Sequence, residues 1–382
     1  MRIALVTHHA HSHGGVPQYV VALATALAQN HEVTIFSNDF EGMEDTAVRH
    51  RRVWARGSSG FLWPVMFPLW SSLLLILSHL KKTGRFDIIH THGDYAAFAD
   101  VNTSHFCEAE EVERLRRHRI DVTLGERLHH RVTALLEKGL VTQSKGKPLI
   151  VVSDRMKKEF LSHYGPLEDR LFVIPGGVDS TRYSPANRPL YRNEIRHHRV
   201  PAADTLVLFI GGDWERKGLP QAIKALAHLH SSKVTLLVVG RGDTAHYRKL
   251  ARKEGVEKKV IFAGPVEETW KYYAASDIFL LPSLYEPFGL CILEAMSTGM
   301  PVVISREAGA AELIQDRVNG LLLKNPGDVA EIGAKLDLLV GDDEFRRRLG
   351  DRARQTAMEC TWSGVAKSTI EVYQQALRNR RN

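Results

Sequence analysis

Along this chain, short β-branched runs alternate with longer stretches whose apolar positions recur at helical spacing. RIALVTHH reads as a strand ending in polar residues. A turn at Gly14-Gly15 follows, then QYVVALATALAQN with helical periodicity, then the strand HEVTIFS. Strand, helix, strand in that order predicts a parallel sheet with helices on its faces. FDIIHTHGD, PLIVVSD with the helix RMKKEFLSHYG, and LFVIPGG extend the pattern. After Gly177 the stretch VDSTRYSPANRPLYRNEIRHHRVPAADT, rich in Pro, Arg and Asn, reads as a connection between domains, part of it helical. A second series then runs TLVLFIGG, GLPQAIKALAHLH, VTLLVVG, AHYRKLARKEG, VIFAG, VEETWKYYAAS, DIFLLPS, GLCILEAMSTG, PVVIS and GAAELIQ, with a last short strand at Gly320 to Leu323. The expectation is two doubly wound, Rossmann-like α/β domains in series, residues 1–185 and 200–363, with a cleft between the carboxyl ends of their sheets. The tail from Glu344 reads as helical and broken at Trp362-Ser363-Gly364, its last helix, 364–382, crossing back onto the first domain.

Length supports this division, because 382 residues exceed one compact core. With 44% hydrophobic and 25% charged residues, each domain is expected to bury a sizeable core. Cys107, Cys291 and Cys360 lie far apart, which predicts neither a disulfide framework nor a zinc site and suits a reducing compartment. The net charge of +7 suits anionic partners, such as nucleotides, phosphosugars or acidic lipid, or serves solubility alone. MRIALVTHH has too short an apolar run for a signal peptide. FLWPVMFPLWSSLLLILSHL, Phe61 to Leu80, is interrupted by Pro64 and Pro68, so that only SSLLLILSHL reads as a clean helix, too short for a bilayer. It is either a packed helix or an apolar lip facing lipid. Charge and RLRRHR, Arg114 to Arg119, are the only hints of nucleic-acid binding, and no recognised motif accompanies them.

Four stretches carry candidate chemistry. Gly14-Gly15 lets backbone approach an anion where a helix begins, or is a plain tight turn; it lacks the full G-x-G-x-x-G, which disfavours a dinucleotide. GGDWERKGL places Arg216 and Lys217 at a strand's carboxyl end, where a guanidinium and an ammonium suit a diphosphate; the alternative is a solvated charge cluster. HTHGD puts His90, His92 and Asp94 at or near another strand end. Metal would need ligands that no spacing supplies, which leaves a histidine reaching the cleft or a satisfied structural one. FLLPSLYEPFGLCILEAMSTGMPVVIS holds Glu286 in a strand-to-helix loop and Glu294 about a turn inside the helix, which Gly299 and Pro301 close. The amides of Phe288, Gly289 and Leu290 open that helix. Two carboxylates beside such amides suit a polyhydroxylated, phosphate-bearing ligand, a sugar nucleotide. The alternative is a helix cap at Glu286 with Glu294 in solvent, although Leu293, Ala295 and Met296 flank it.

EPFGLCILEAMSTGMPVV resembles the E-x7-E signature of the retaining glycosyltransferases of family 4, which have the GT-B fold. The Gly-Gly loop, FDIIHTH, VSDRMKKEF, VIPGGVD, RKG, VVGRGD, YYAASDIFLLPSLYEPFG and NGLLL follow that family's order over nearly the whole chain. The resemblance implies sugar transfer from a nucleotide donor with retained configuration and without bound metal or other cofactor. By the same resemblance Glu286 holds the donor sugar near its anomeric carbon, Glu294 the ribose, and Arg216 and Lys217 the diphosphate. Gly14 and Gly15 approach the diphosphate from the acceptor-side first domain. The Phe288, Gly289 and Leu290 amides bind sugar or phosphate oxygens, and His92 sits over the reacting sugar.

The chain departs from the pattern at three places: Gly211-Gly212-Asp213 where many members have Arg, Gly176 where Asn is usual, and AGAAE, Ala308 to Glu312, in place of a Gly pair. GGDWERKG is similar instead to the glucosyltransferases of the lipopolysaccharide core. This implies a UDP-hexose donor and an envelope glycolipid, lipopolysaccharide or polysaccharide acceptor, met in the cytoplasm or at the inner face of an anionic membrane, with no nucleic acid partner. The alternatives are a small cytosolic acceptor, a sugar-nucleotide epimerase or phosphorylase, and an inactive scaffold that binds nucleotide sugar.

Overall fold

The computed structural model describes residues 1–11, 14–43, 46–54, 63–80, 85–93, 98–117, 123–143, 146–197, 200–201 and 204–380. Asp94, His118, Arg119, Phe61 and Leu62 lie outside the described residues. The chain folds as two compact units, Met1–Pro175 with Trp362–Asn382, and Gly176–Thr361.

The first unit is built on a parallel sheet of β1 (Arg2–Val6), β2 (Glu32–Ser37), β3 (Arg49–Arg52), β4 (Ile88–His92), β5 (Val101–Ser104), β6 (Leu149–Val151) and β7 (Leu171–Val173). Its order is β3-β2-β1-β4-β5-β6-β7. Helices α1 (Gly15–Ala28), α2 (Trp63–Leu80), α3 (Glu108–Arg117), α4 (Leu124–Gln143) and α5 (Asp154–Tyr164) connect the strands. Ile3, Leu5 and Val6 are buried on both faces of β1, as a central parallel strand requires. The order reverses between β1 and β4, and this is the switch point where doubly wound sheets bind ligands.

Helix α2 continues through Pro68, longer than the clean stretch anticipated from Ser71 onward. Phe67, Ser71, Ser72 and Leu75 are buried, Phe67 and Leu75 against a core that includes Ala4, Val6 and Phe36. Met66, Leu69, Trp70, Leu73, Ile76 and Leu77 form the opposite, exposed apolar face. Among the described residues no helix is long and apolar enough to cross a membrane. In α3 two cations of RLRRHR are paired: buried Arg114 bidentately with Glu111 at 2.6 and 2.7 Å, and Arg117 with Glu113 at 2.7 Å.

The second unit carries β8 (Thr205–Ile210), β9 (Val234–Val239), β10 (Val260–Gly264), β11 (Ile278–Leu281), β12 (Val302–Ser305) and β13 (Leu321–Leu323), ordered β10-β9-β8-β11-β12-β13 and parallel throughout. Its switch point lies between β8 and β11. The helices are α6 (Arg188–Arg196), α7 (Leu219–Ala225), α8 (Thr244–Lys253), α9 (Thr269–Ala275), α10 (Leu290–Ser297), α11 (Val329–Gly341) and α12 (Asp343–Glu359). The stretch expected as a connection belongs to this unit, because α6 packs on α9 and its arginines converge on buried Asp277. Arg188, Arg192 and Arg196 reach that carboxylate at 2.5, 2.9 and 3.0 Å. The chain passes between units at Pro175–Gly176 instead. The break expected at Trp362–Gly364 falls earlier, because Trp362 already opens α13 (Trp362–Asn379), which packs on α1 within the first unit.

Candidate active site

The loop after β8 delivers two cations. Gly211 has φ 140°, a conformation that favours glycine, and the Lys217 stem passes beside it. Asp213, at φ 48°, accepts from Arg216 Nε at 2.6 Å. Trp214 is buried and donates from Nε1 to the Gly211 carbonyl at 2.9 Å, which pins the loop. Arg216 Nη1 also donates to the Tyr285 carbonyl at 2.7 Å, on the neighbouring loop after β11.

That second loop brings in Glu286. The Glu286 amide donates to the Glu307 carbonyl at 3.1 Å, and its carbonyl accepts from Gly309 at 2.9 Å. Ala310 donates to the Phe288 carbonyl at 2.9 Å, so the AGAAE segment is the backbone partner of the loop. Gly289, at φ 96°, caps α10, and the first helical amides follow at Leu290. Gly176 passes close to the side chains of Leu290 and Phe288.

Lys217 Nζ lies 2.5 Å from Glu286 Oε2, and Arg216 Nη1 lies 3.6 Å from the same oxygen. All three side chains are largely buried. Burial alone would lower the Lys217 pKa, but the Glu286 carboxylate outweighs it and the ammonium titrates above the usual lysine range. Burial alone would raise Glu286, but Lys217 and then Arg216 hold its carboxyl below the usual range. The site therefore keeps both charges. An entering anion can draw the cations away from Glu286 and leave a free carboxylate beside them.

Glu294 is buried inside α10, not exposed, and accepts from the Tyr273 hydroxyl at 2.7 Å. Tyr273 and Trp214 carry no local signal of these roles, because nothing in WKYYAAS marks a contact with Glu294 and nothing in GGDWERKG marks a bond back to the Gly211 carbonyl. Gly14, Gly15 and His92 belong to the first unit. Gly14, at φ 83°, is the N-cap of α1. His90 is satisfied between the Tyr373 and Thr103 hydroxyls, both at 2.7 Å, a structural histidine that burial holds at about 3. His92 Nδ1 lies 3.1 Å from His105 Nε2, and His92 Nε2 is buried with no hydrogen-bond partner. Burial, reinforced by its histidine neighbours, keeps His92 neutral. Among the described residues Arg216, Lys217 and Glu286 form one cluster, with Phe288, Gly289, Leu290 and Glu294 following Glu286 into α10.

A family model described as Glycosyltransferase Family 4 matches residues 13–182, and one described as Glycosyl transferases group 1 matches residues 191–356. The lipopolysaccharide glucosyltransferase WaaG of Escherichia coli (strain K12) is 26% identical over 356 residues, covering 90% of this chain and 91% of its own. The solved structure of a WaaG superposes with a TM-score of 0.80 at 23% identity, over 97% of this chain and 99% of that one. The D-inositol 3-phosphate glycosyltransferase of Corynebacterium glutamicum (strain R) is 27% identical over 99% of this chain and 98% of its own. Anabaena Alr3699/HepE, solved with UDP-glucose, has a TM-score of 0.75 at 20% identity, over 98% of this chain and 99% of that one. Two parallel, Rossmann-ordered units of this kind match the GT-B architecture of that WaaG structure. The two family models together span residues 13–182 and 191–356, and the chain is a glycosyltransferase.

Proposed function

We propose that this enzyme moves a hexose from a UDP-sugar to a hydroxyl of an envelope glycolipid, lipopolysaccharide or polysaccharide acceptor, with retained configuration and without a bound metal. The observation that carries the reading is the Lys217–Glu286 pair, with Arg216 beside it, at the switch point of the second unit. Cleavage of the anomeric C–O bond leaves negative charge on the departing diphosphate. Lys217 and Arg216 meet that charge, as does the partly positive start of α10 at Phe288, Gly289 and Leu290. Glu286, released from Lys217, accepts from the sugar hydroxyls, and Glu294, oriented by Tyr273, accepts from the ribose. Attack from the leaving-group face retains configuration with no enzyme nucleophile. The enzyme works in the cytoplasm or at the inner membrane face, with no cofactor beyond its donor and no nucleic acid partner. WaaG, a lipopolysaccharide glucosyltransferase by name, and a structural relative solved with UDP-glucose support this choice of donor and acceptor.

The test is a thermal shift with UDP, GDP and ADP, followed by hydrolysis of the matching nucleotide sugars. UDP is expected to raise Tm most and UDP-hexose to be hydrolysed slowly. No shift with any nucleoside diphosphate overturns the reading.

A further inference from the structure

The first unit holds an open cavity of about 900 Å³ at its own switch point, beside the ends of β1 and β4. Specific small-molecule sites occupy roughly this volume. Its walls are apolar and come from three places: Leu69, Leu73 and Ile76 of α2, Leu136 and Leu140 of α4, and Phe98. Its floor is polar and comes from the carboxyl ends of the strands, with Thr7, His92 and His105. Buried polar atoms are rarely left unsatisfied. The unpartnered Nε2 of His92, a residue only 1% exposed, belongs to a side chain that lines this cavity.

The cavity is also poor in positive charge. No lysine or arginine is among the described residues that line it. Burial keeps the neighbouring imidazoles neutral, His105 at about 3. Buried Glu137 accepts from Tyr164 and from the Glu108 amide, and burial pushes its carboxyl up to about 8, so this acid too is uncharged near neutrality. The remaining acid, Glu108, accepts from Thr133 and pairs with His130 at 3.1 Å. A phosphorylated polyol would meet no lysine or arginine here, and would face the Glu108 carboxylate. A hydroxyl on an apolar stem would meet a hydrogen-bonding floor and matching walls. On these walls Leu69 is 61% and Leu73 43% exposed, an apolar surface of the kind that marks a binding site.

We infer that this cavity takes the acceptor, and that the acceptor is an amphipathic alcohol whose phosphate-free hydroxyl end rests on the His92–His105 floor while its apolar chain lies between α2 and α4. This rests on the transferase reading and narrows it, setting the chain apart from relatives named for inositol 3-phosphate.

The experiment is isothermal titration of the full-length protein with octyl and decyl β-D-glucoside, each below its micelle threshold, and with inositol 3-phosphate. Each methylene that enters the cavity should tighten binding about threefold to fourfold, so decyl glucoside should bind roughly tenfold tighter than octyl. Leu73→Glu and Leu136→Glu should each weaken decyl glucoside binding at least tenfold. Leu135→Glu, at a position 71% exposed and outside the lining, should leave it unchanged. Tighter binding of inositol 3-phosphate, or equal losses in all three variants, would overturn the assignment. A second readout needs no variant: decyl glucoside with a diazirine at the chain end should label peptides from 63–80 or 124–143 of the wild-type protein, and labelling confined to the second unit would contradict it. UDP binding, measured in parallel, reports on the transferase reading separately, because its loss would count against that reading and leave the alkyl glucoside results standing.

Discussion

Lys217 and Glu286 meet at 2.5 Å, with 12% and 10% of their side chains exposed, on loops that flank the point where the order of the second sheet reverses. The pair holds a phosphate-binding cation and a hydroxyl-binding carboxylate in one place before any ligand arrives. The ligand then competes with one for the other.

Glu286→Gln separates binding from turnover. The amide keeps the shape but no longer competes for Lys217, so UDP should bind as tightly as to wild type or more tightly. Turnover should fall on the order of a hundredfold or more, the scale of losing one charge-stabilising group. The buried ammonium left without its counter-charge should also lower Tm. Equal losses in UDP affinity and turnover would return Glu286 to a structural role.

Tyr273→Phe removes the hydroxyl that holds Glu294 at 2.7 Å. Leaving a buried acceptor without its hydrogen bond costs about 1–3 kcal/mol. The variant should melt earlier and bind UDP several-fold more weakly, while free pyrophosphate, which has no ribose, binds as before. A matching loss for pyrophosphate would show that Tyr273 supports the whole loop and not the ribose contact.

Because Arg216, Lys217 and helix amides would take the role of a cation, EDTA should leave transfer rates within about twofold of the untreated enzyme. A large loss restored by magnesium or manganese would contradict the charge assignment.

Two buried glutamates predict opposite responses to pH. Glu286 titrates below its usual range, so its contribution to stability is present above about pH 4.3, the unfolded value, and is lost as pH falls through the lower folded value. Glu137 is pushed up to about 8. Between about pH 4.3 and 8 the folded chain holds a proton that the unfolded chain has released, so stability declines as pH rises across that window, by at most about 1.4 kcal/mol per pH unit from this group. Glu137→Gln should flatten that decline, and the gain over wild type should be greatest above pH 8. Parallel Tm–pH curves for the two proteins would rule out a protonated Glu137.

Much of this was legible in the sequence, and what escaped did so for identifiable reasons. Ile3, Leu5 and Val6, like Val234 to Val239, are buried on both faces, and such strands announce themselves as continuous apolar runs. β3 is RHRR, a polar edge strand paired only with β2, and β5 is VNTS, four residues with Asn102 and buried Thr103 and Ser104. Neither offers a hydrophobic signal. α6 resembles a linker because what anchors it is arginine closing on Asp277, a partner far along the chain. Glu286, Arg216 and Lys217 could be picked out because charged residues at strand ends stand out against apolar flanks. Tyr273 on Glu294, and the pairing of His92 with His105, join elements that no local pattern connects.

The most direct measurement is turnover of UDP-hexose by Lys217→Met beside the affinities of UDP and uridine. The ammonium is assigned to the diphosphate and not to the nucleoside. Turnover should therefore fall by a few hundredfold, about 3–4 kcal/mol in the barrier, and UDP should bind more weakly while uridine affinity stays unchanged. Near-normal turnover, or an equal loss for uridine and UDP, would contradict the assignment of Lys217 to the leaving diphosphate.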